Sequence, residues 1–250
     1  MSNNLAERIQ KKILQQLVRR MMVRRRRHDD DLQRLGSRYG GWWVPSFALT
    51  PKAIVVSAGV GEDTTFDEEL LRRGCRVVAM DPTPRARQHV EARLEGGFLG
   101  GSFEFLPVGL WEVDTHLKFY APADPTHVSH SVVNIQGTSQ WFEAEVWSLN
   151  RVIEASDLSH IDVLKMDIEG AEVAVLRHML LSPIRPPTLC VELDAPLPVS
   201  RTLGLLRQLR RADYRLAAAE GWNLVFLHGT GGDAVHPSRL VGTFTRRKSG

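Results

Sequence analysis

Residues 53–81, "AIVVSAGVGEDTTFDEELLRRGCRVVAMD", read as a strand, a turn, a helix and a second strand, and the fold follows from them. "AIVVS" (53–57) is a short apolar, largely β-branched run that ends in a glycine turn at Gly59 and Gly61. Behind the turn, Thr65 with Glu68 three residues on makes a capping-box pattern. Phe66, Leu70 and Leu71 then offer an apolar face, and Gly74 stops the helix. "RVVAMD" (76–81) is the next buried strand. Short hydrophobic strands joined through helices imply a parallel sheet covered on both faces.

The alternation continues outward. "TPRARQHVEARLEGG" (83–97) predicts a helix with proline in its first turn and glycine at its end, and "FEFLPVGL" (103–110) a third strand. "HLKFYAP" (116–122) and "EAEVWSL" (143–149) read as strands around a polar stretch without periodicity, which in a compact domain marks a functional loop. A short helix near "NRVIEAS" (150–156) leads to the strand "IDVLKMD" (161–167), the helix "AEVAVLRHMLL" (171–181), the strand "TLCVELD" (188–194) and the helix "SRTLGLLRQLRRA" (200–212). "YRLAAAEGWNLVFLH" (214–228) breaks at "EGWN" into a hairpin whose final strand runs antiparallel. The expected fold class is α/β: a Rossmann-like, doubly wound, mostly parallel sheet with an antiparallel last strand.

At 250 residues, 43% hydrophobic and 24% charged, the chain suits one globular domain with an appendage. We expect an N-terminal basic arm over residues 1–37 and the domain over 38–250. Residues 1–31 carry a net charge of +5 and the remainder −2, so the basicity belongs to the arm. On a helix, Ile13, Leu14, Leu17, Val18, Met21 and Met22 would oppose Lys12, Gln15, Gln16, Arg19 and Arg20, followed by the run Arg24–Arg27. Such an arm suits packing on the domain or a second subunit, or peripheral contact with an anionic membrane. Clustered positive charge also suits nucleic acid, the partner we favour least. With no apolar run of membrane-spanning length and no signal-peptide core, a cytoplasmic protein is expected. Cys75 and Cys190 lie in apolar runs without metal-ligand spacing and are read as reduced core thiols.

The glycine turn raises a chemical question, because Glu62 and Asp63 stand where a pyrophosphate would want amides. Carboxylates beside a phosphate in a partly dry site cost Coulomb energy. No G-x-x-x-x-G-K-[ST] is present either. A nucleoside-like cation removes the conflict, and S-adenosyl-L-methionine is one, with Asp63 available to its ammonium; equally, acids favour helix N-termini whatever ligand is near. Asp81 ends the second strand 22 residues after Gly59, where a carboxylate can accept from ribose hydroxyls or simply form an Asx turn in "DPTP".

"IDVLKMDIEGAEVAVL" (161–176) carries a family resemblance. It closely resembles the K-x-D-x-E-G-x-E signature of FkbM-type methyltransferases, and "AIVVSAGVGED", "GCRVVAMDPTP", "LPVGLW" and "CVELD" follow the family's order over about residues 50–230. The resemblance implies a class I methyltransferase fold, S-adenosyl-L-methionine as cofactor and O-methylation of a hydroxyl on a small molecule, sugar or glycan. Carried onto this chain, it implies cofactor contacts from Ser57, Gly59, Gly61, Asp63, Asp81, Pro82, Val108 and Asp167. The family often has an acid where Ser57 stands and a glycine where Asp63 stands.

Methyl transfer to oxygen needs alignment and a proton acceptor, and Asp167, Glu169, His127 and His130 are the candidate bases. Lys165 is costly to bury unpaired, with Asp167, Glu169 and Glu192 as expected partners. No metal site is expected from ligand spacing. Two other readings stand beside this one: an NAD-linked oxidoreductase, and a catalytically inactive methyltransferase-like scaffold recruited through the basic arm.

Overall fold

The computed structural model describes residues 31–121, 138–193 and 199–229. Its centre is a seven-stranded sheet built from β3 (Ile54–Ala58), β4 (Arg76–Met80), β5 (Phe103–Leu106), β9 (Val163–Met166), β10 (Thr188–Glu192), β11 (Tyr214–Glu220) and β12 (Asn223–His228). The strand order is β11-β12-β10-β9-β3-β4-β5. β10, β9, β3, β4 and β5 pair in parallel, whereas β12 runs antiparallel to both β10 and β11. The expected doubly wound sheet with an antiparallel last strand is present. Its order reverses between β3 and β9, the place where this architecture leaves a crevice beyond the strand ends.

The period-2 alternation of each strand sorts the core into two faces. Ile54, Val56, Ala58, Leu164 and Met166 face the helices α3 (Leu149–Ala155), α4 (Glu172–Leu181) and α5 (Val199–Arg211). Val55, Val77, Ala79 and Val163 face α1 (Thr65–Arg72), through Phe66 and Leu70, and α2 (Pro84–Glu95), through Val90. The caps of α2 and α3 are local: Thr83 Oγ1 accepts from the Ala86 amide and Ser148 Oγ from the Arg151 amide.

Three expectations change. The capping box at Thr65 is replaced: the helix begins one residue after the N-cap Thr64, Asp63 Oδ1 accepts from the Thr65 amide (3.0 Å), and Glu68 turns aside to Thr64 Oγ1 and Arg93. The run 103–110 is two strands, because Pro107 has no amide to give and the chain leaves the main sheet there. β6 (Gly109–Leu110) instead joins a small sheet, order β6-β8-β7, with β7 (Thr115–Tyr120) and β8 (Trp141–Trp147). Finally, β1 (Leu32–Leu35) and β2 (Trp42–Pro45) form an antiparallel hairpin that periodicity did not signal. Leu35, Trp42 and Val44 are buried in the α1-side core, and Arg34 and Trp43 Nε1 both reach Glu220 Oε2 (3.2 and 2.8 Å), so the hydrogen-bonded body begins before residue 38.

Among the described residues, no helix is long and apolar enough to cross a membrane.

Candidate active site

The turns after β3, β4 and β9 open onto one crevice, lined by Gly59, Gly61, Asp81, Pro82, Asp167 and Glu169 among others. The two halves of the sheet touch at its floor. Gly59 has φ +81°, and a Cβ there would sit 1.7 Å from the Asp167 carbonyl oxygen, so only glycine lets the two turns pass. Gly61, at φ +58°, has no atom within 4 Å of where a Cβ would project, which leaves its surface open to a ligand.

Beneath the glycine turn lies a buried polar cluster. Ser57 and Lys165 sit opposite each other in the β3–β9 register. Lys165 Nζ donates to the carbonyl oxygens of Ala58 (3.2 Å) and Gly59, pinning the turn from behind. Its nearby carboxyl is Asp67 from α1, not the expected Asp167, Glu169 or Glu192. Burial pushes the Asp67 carboxyl up to about 6, against the pull of the Lys165 charge. Ser57 Oγ lies near enough to lower the Asp67 pKa, yet it closes no hydrogen bond of ordinary geometry, and Asp67 Oδ1 likewise has no partner. Ser57 therefore belongs to this substructure and does not line the crevice.

The acids of the first half are engaged by the chain itself. Asp63 Oδ2 accepts from Ser37 Oγ (2.5 Å) and the Gly40 amide (3.2 Å), and Oδ1 from the amide and hydroxyl of Thr65 (3.0 and 2.5 Å). Burial raises its pKa, but these donors outweigh it and the net value is lowered, so Asp63 is a charged latch on residues 37–40. Glu62 pairs with Arg85 (2.8 Å) across the rim. Asp81 Oδ2 accepts from the Gly61 amide (2.9 Å), while Oδ1 accepts from the Thr83 amide (2.8 Å) and hydroxyl (2.5 Å). The Asx turn and the crevice position thus coexist.

The second half differs. Glu169 adopts φ +53° and Gly170 φ +102°, a left-handed turn held by a neighbour that motif reading left without a role. Glu172 Oε1 accepts from the Ile168 amide and Oε2 from the Gly170 amide, both at 2.9 Å. Burial, aided by the Asp167 charge, pushes its carboxyl up to about 8 despite those two donors. Asp167 and Glu169 reach the crevice wall.

Val108 is a core residue packed with Val78 and Met80; its neighbours Gly109 and Leu110, with Phe119 from β7, line the crevice instead. His127 and His130 lie outside the described residues. Tyr39 and Gly40 line the crevice without any local sequence signal, since their place depends on the non-local latch at Asp63.

A family model for the "Methyltransferase FkbM domain" matches residues 53–216, from β3 into β11. The chain belongs to the FkbM methyltransferase family. No curated protein matches it. Among solved structures, it matches an rRNA methylase from Streptococcus thermophilus at 11% identity, covering 72% of this chain and 88% of that one with a TM-score of 0.40. A precorrin-6y C5,15-methyltransferase from Geobacter metallireducens matches at 8% identity over 73% and 84%, TM-score 0.41. The Methanococcus jannaschii fibrillarin pre-rRNA processing protein matches at 7% identity over 83% and 86%, TM-score 0.41.

Membership of the FkbM family makes the chain a methyltransferase and implies use of S-adenosylmethionine. The residues present fit such a group: Glu62, Asp63, Asp81, Asp167 and Glu169 outnumber Arg85 and Lys165 around the crevice, a field suited to a cation. Among the described residues, no three His, Cys, Asp or Glu side chains are grouped to hold a metal ion.

Proposed function

We propose that the crevice binds S-adenosyl-L-methionine and that the chain methylates a hydroxyl oxygen on a small molecule, sugar or glycan. The observation carrying this reading is the negatively charged crevice at the sheet's switch point, with Gly61 open along it and Asp81 at its edge. Asp81 would accept from ribose hydroxyls through lone pairs its own turn leaves unused, with Gly59, Gly61 and Pro82 forming the adjoining wall. When bound, the cofactor supplies an electrophilic methyl group on a cationic sulfur.

Asp167 and Glu169, on the crevice wall, would serve the acceptor. Either carboxylate would take the acceptor hydroxyl's proton as its oxygen takes the methyl group and the donor leaves as a neutral thioether. His130, where the described residues do not reach, is a further candidate for that proton. Alignment in the crevice is worth up to roughly 7–11 kcal/mol for well-oriented reactants. We also propose that the basic residues 1–30, ahead of β1, make peripheral contact with anionic membrane, in a cytoplasmic protein.

Calorimetric titration with S-adenosylmethionine and with NAD tests the cofactor. Binding of the first alone supports the reading, binding of the second alone would make the chain an oxidoreductase, and binding of neither would leave an inactive scaffold. A screen with methyl-labelled cofactor against sugars, glycolipids, peptides and RNA then identifies the acceptor; label on RNA or peptide alone would overturn the hydroxyl assignment to small molecules and glycans. Removing residues 1–30 should abolish sedimentation with anionic vesicles and leave cofactor affinity unchanged.

A further inference from the structure

We propose that Tyr39 is a specificity-determining residue whose aromatic face meets the cationic sulfur end of the methyl donor, so that the crevice separates the charged donor from its neutral demethylated product. This rests on the cofactor reading above and extends it to a segment preceding the family domain, which begins at residue 53.

The backbone around Tyr39 is held on both sides. Gly36 N–H donates to Glu69 Oε1 (3.0 Å), Ser37 N–H to Thr65 Oγ1 (2.7 Å), and the Ser37 hydroxyl and Gly40 amide both donate to Asp63. Arg34 adds bonds to the carbonyls of Ser37 (2.7 Å) and Arg38 (3.1 Å), and the Tyr39 amide itself donates to Ser37 Oγ (3.0 Å). Yet Tyr39 is 83% exposed. An exposed aromatic residue means little alone. This one stands on a fixed strap and lines the crevice together with Asp167 and Glu169.

Two chemistries are available to such a ring. The phenol would be a poor base, because desolvation, slight for so exposed a side chain, and the charges of Asp167, Glu169, Glu192 and Asp63 raise its pKa above the ordinary tyrosine value. The ring face is the other: aromatic faces attract cations, and weakly hydrated onium groups are recognised this way. A sulfonium carries that charge and a thioether does not. Acidic neighbours draw the cation in, and the ring supplies a contact that vanishes once the methyl has gone.

The test compares wild type, Tyr39→Phe and Tyr39→Ala by calorimetry, each titrated with S-adenosylmethionine and with its demethylated thioether product. Tyr39→Ala should weaken donor binding roughly three- to ten-fold and product binding less than about two-fold, with an unchanged melting temperature. Tyr39→Phe should keep the wild-type ratio. Equal losses for both ligands in Tyr39→Ala, no loss for either, or a Tyr39→Phe variant that behaves like Tyr39→Ala would each overturn the assignment. Wild-type protein that binds neither compound would remove the cofactor reading itself, a different failure visible before any variant is made.

Discussion

The turn after β3 and the turn after β9 lie against each other, and they handle their acids in opposite ways. After β3, Asp63 is saturated by Ser37, Gly40 and Thr65, and Glu62 is paired with Arg85. After β9, the structural work is done by the buried Glu172, which holds the Ile168 and Gly170 amides, while Asp167 and Glu169 reach the crevice. One turn spends its visible acids on its own architecture. The other delegates the architecture to a hidden one, and its visible acids stand on the crevice wall. An acid beside a glycine turn is therefore not, by itself, an acid for the ligand.

The contact between the turns is the first thing to break. Gly59→Ala drives a Cβ into backbone at 1.7 Å and imposes a positive φ, so strain and overpacking should together cost about 4 kcal/mol or more and abolish cofactor binding. Gly61→Ala meets open space and should cost only about 1 kcal/mol, from its positive φ. Urea denaturation of both variants reads the difference directly. Equal losses would mean that the two turns do not meet as closely as described.

Removing the delegate comes next. Glu172→Ala leaves two partly buried amides without acceptors and should cost about 1–3 kcal/mol, with activity falling further than stability because Glu169 loses its left-handed turn. Glu172→Gln keeps an acceptor for one amide and should recover part of both. The same residue shapes the pH response. Its folded pKa, about 8, lies above the ordinary 4.5, so the folded state holds a proton that the unfolded state has released. Stability from this group is fully present below about 4.5 and lost as pH rises through about 8, at up to about 1.4 kcal/mol per pH unit. Asp67, raised to about 6, adds a loss in the same direction at lower pH. Asp63 works the other way: its pKa is lowered, so its contribution is present above the ordinary 3.8 and lost as pH falls below it. Chemical denaturation from pH 5 to 9 should show a decline that Glu172→Gln flattens above pH 6. An unchanged slope in that variant would reassign the decline.

How much of this was legible in the residues follows the same division. The βαβ order, the hairpin at "EGWN" and the convergence of Gly59, Asp81 and Asp167 all come from patterns local to each segment, and the structure brings them together. What was missed is non-local. Asp67 became the carboxyl near Lys165 because α1 packs on the sheet face that carries Val55, Val77 and Val163, a fact that residue spacing does not carry. Tyr39 reached the crevice because Ser37 and Gly40 find Asp63 more than twenty residues on. Trp42 and Val44 gave no periodic signal, since a four-residue strand is too short for one. The capping-box reading failed for a related reason: Glu68 is taken by Arg93, which lies in α2.

Paired substitutions sharpen the contrast between an architectural acid and a ligand acid. Asp63→Asn and Asp81→Asn each weaken a carboxylate bound to three or four protein donors, so each should lose about 1–3 kcal/mol of stability. Measured well below both melting points, only Asp81→Asn should also lose roughly ten-fold or more in S-adenosylmethionine affinity, about 1.4 kcal/mol. Matching affinity losses would return Asp63 to the ligand.

The smallest effect falls on the rim. Arg85 and Glu62 are both partly exposed, and an exposed pair is worth about 0–1 kcal/mol, so Arg85→Gln should scarcely move the melting temperature. Its electrostatic consequence is separable, because among the described residues the crevice loses one of two cations while keeping five carboxylates. A cationic donor should then bind slightly tighter and its neutral product no differently, a gain that shrinks as salt is raised from 0.05 to 0.5 M because screening shortens the reach of the field. A gain shared by both compounds, or one indifferent to salt, would mean that Arg85 acts through shape and not through charge.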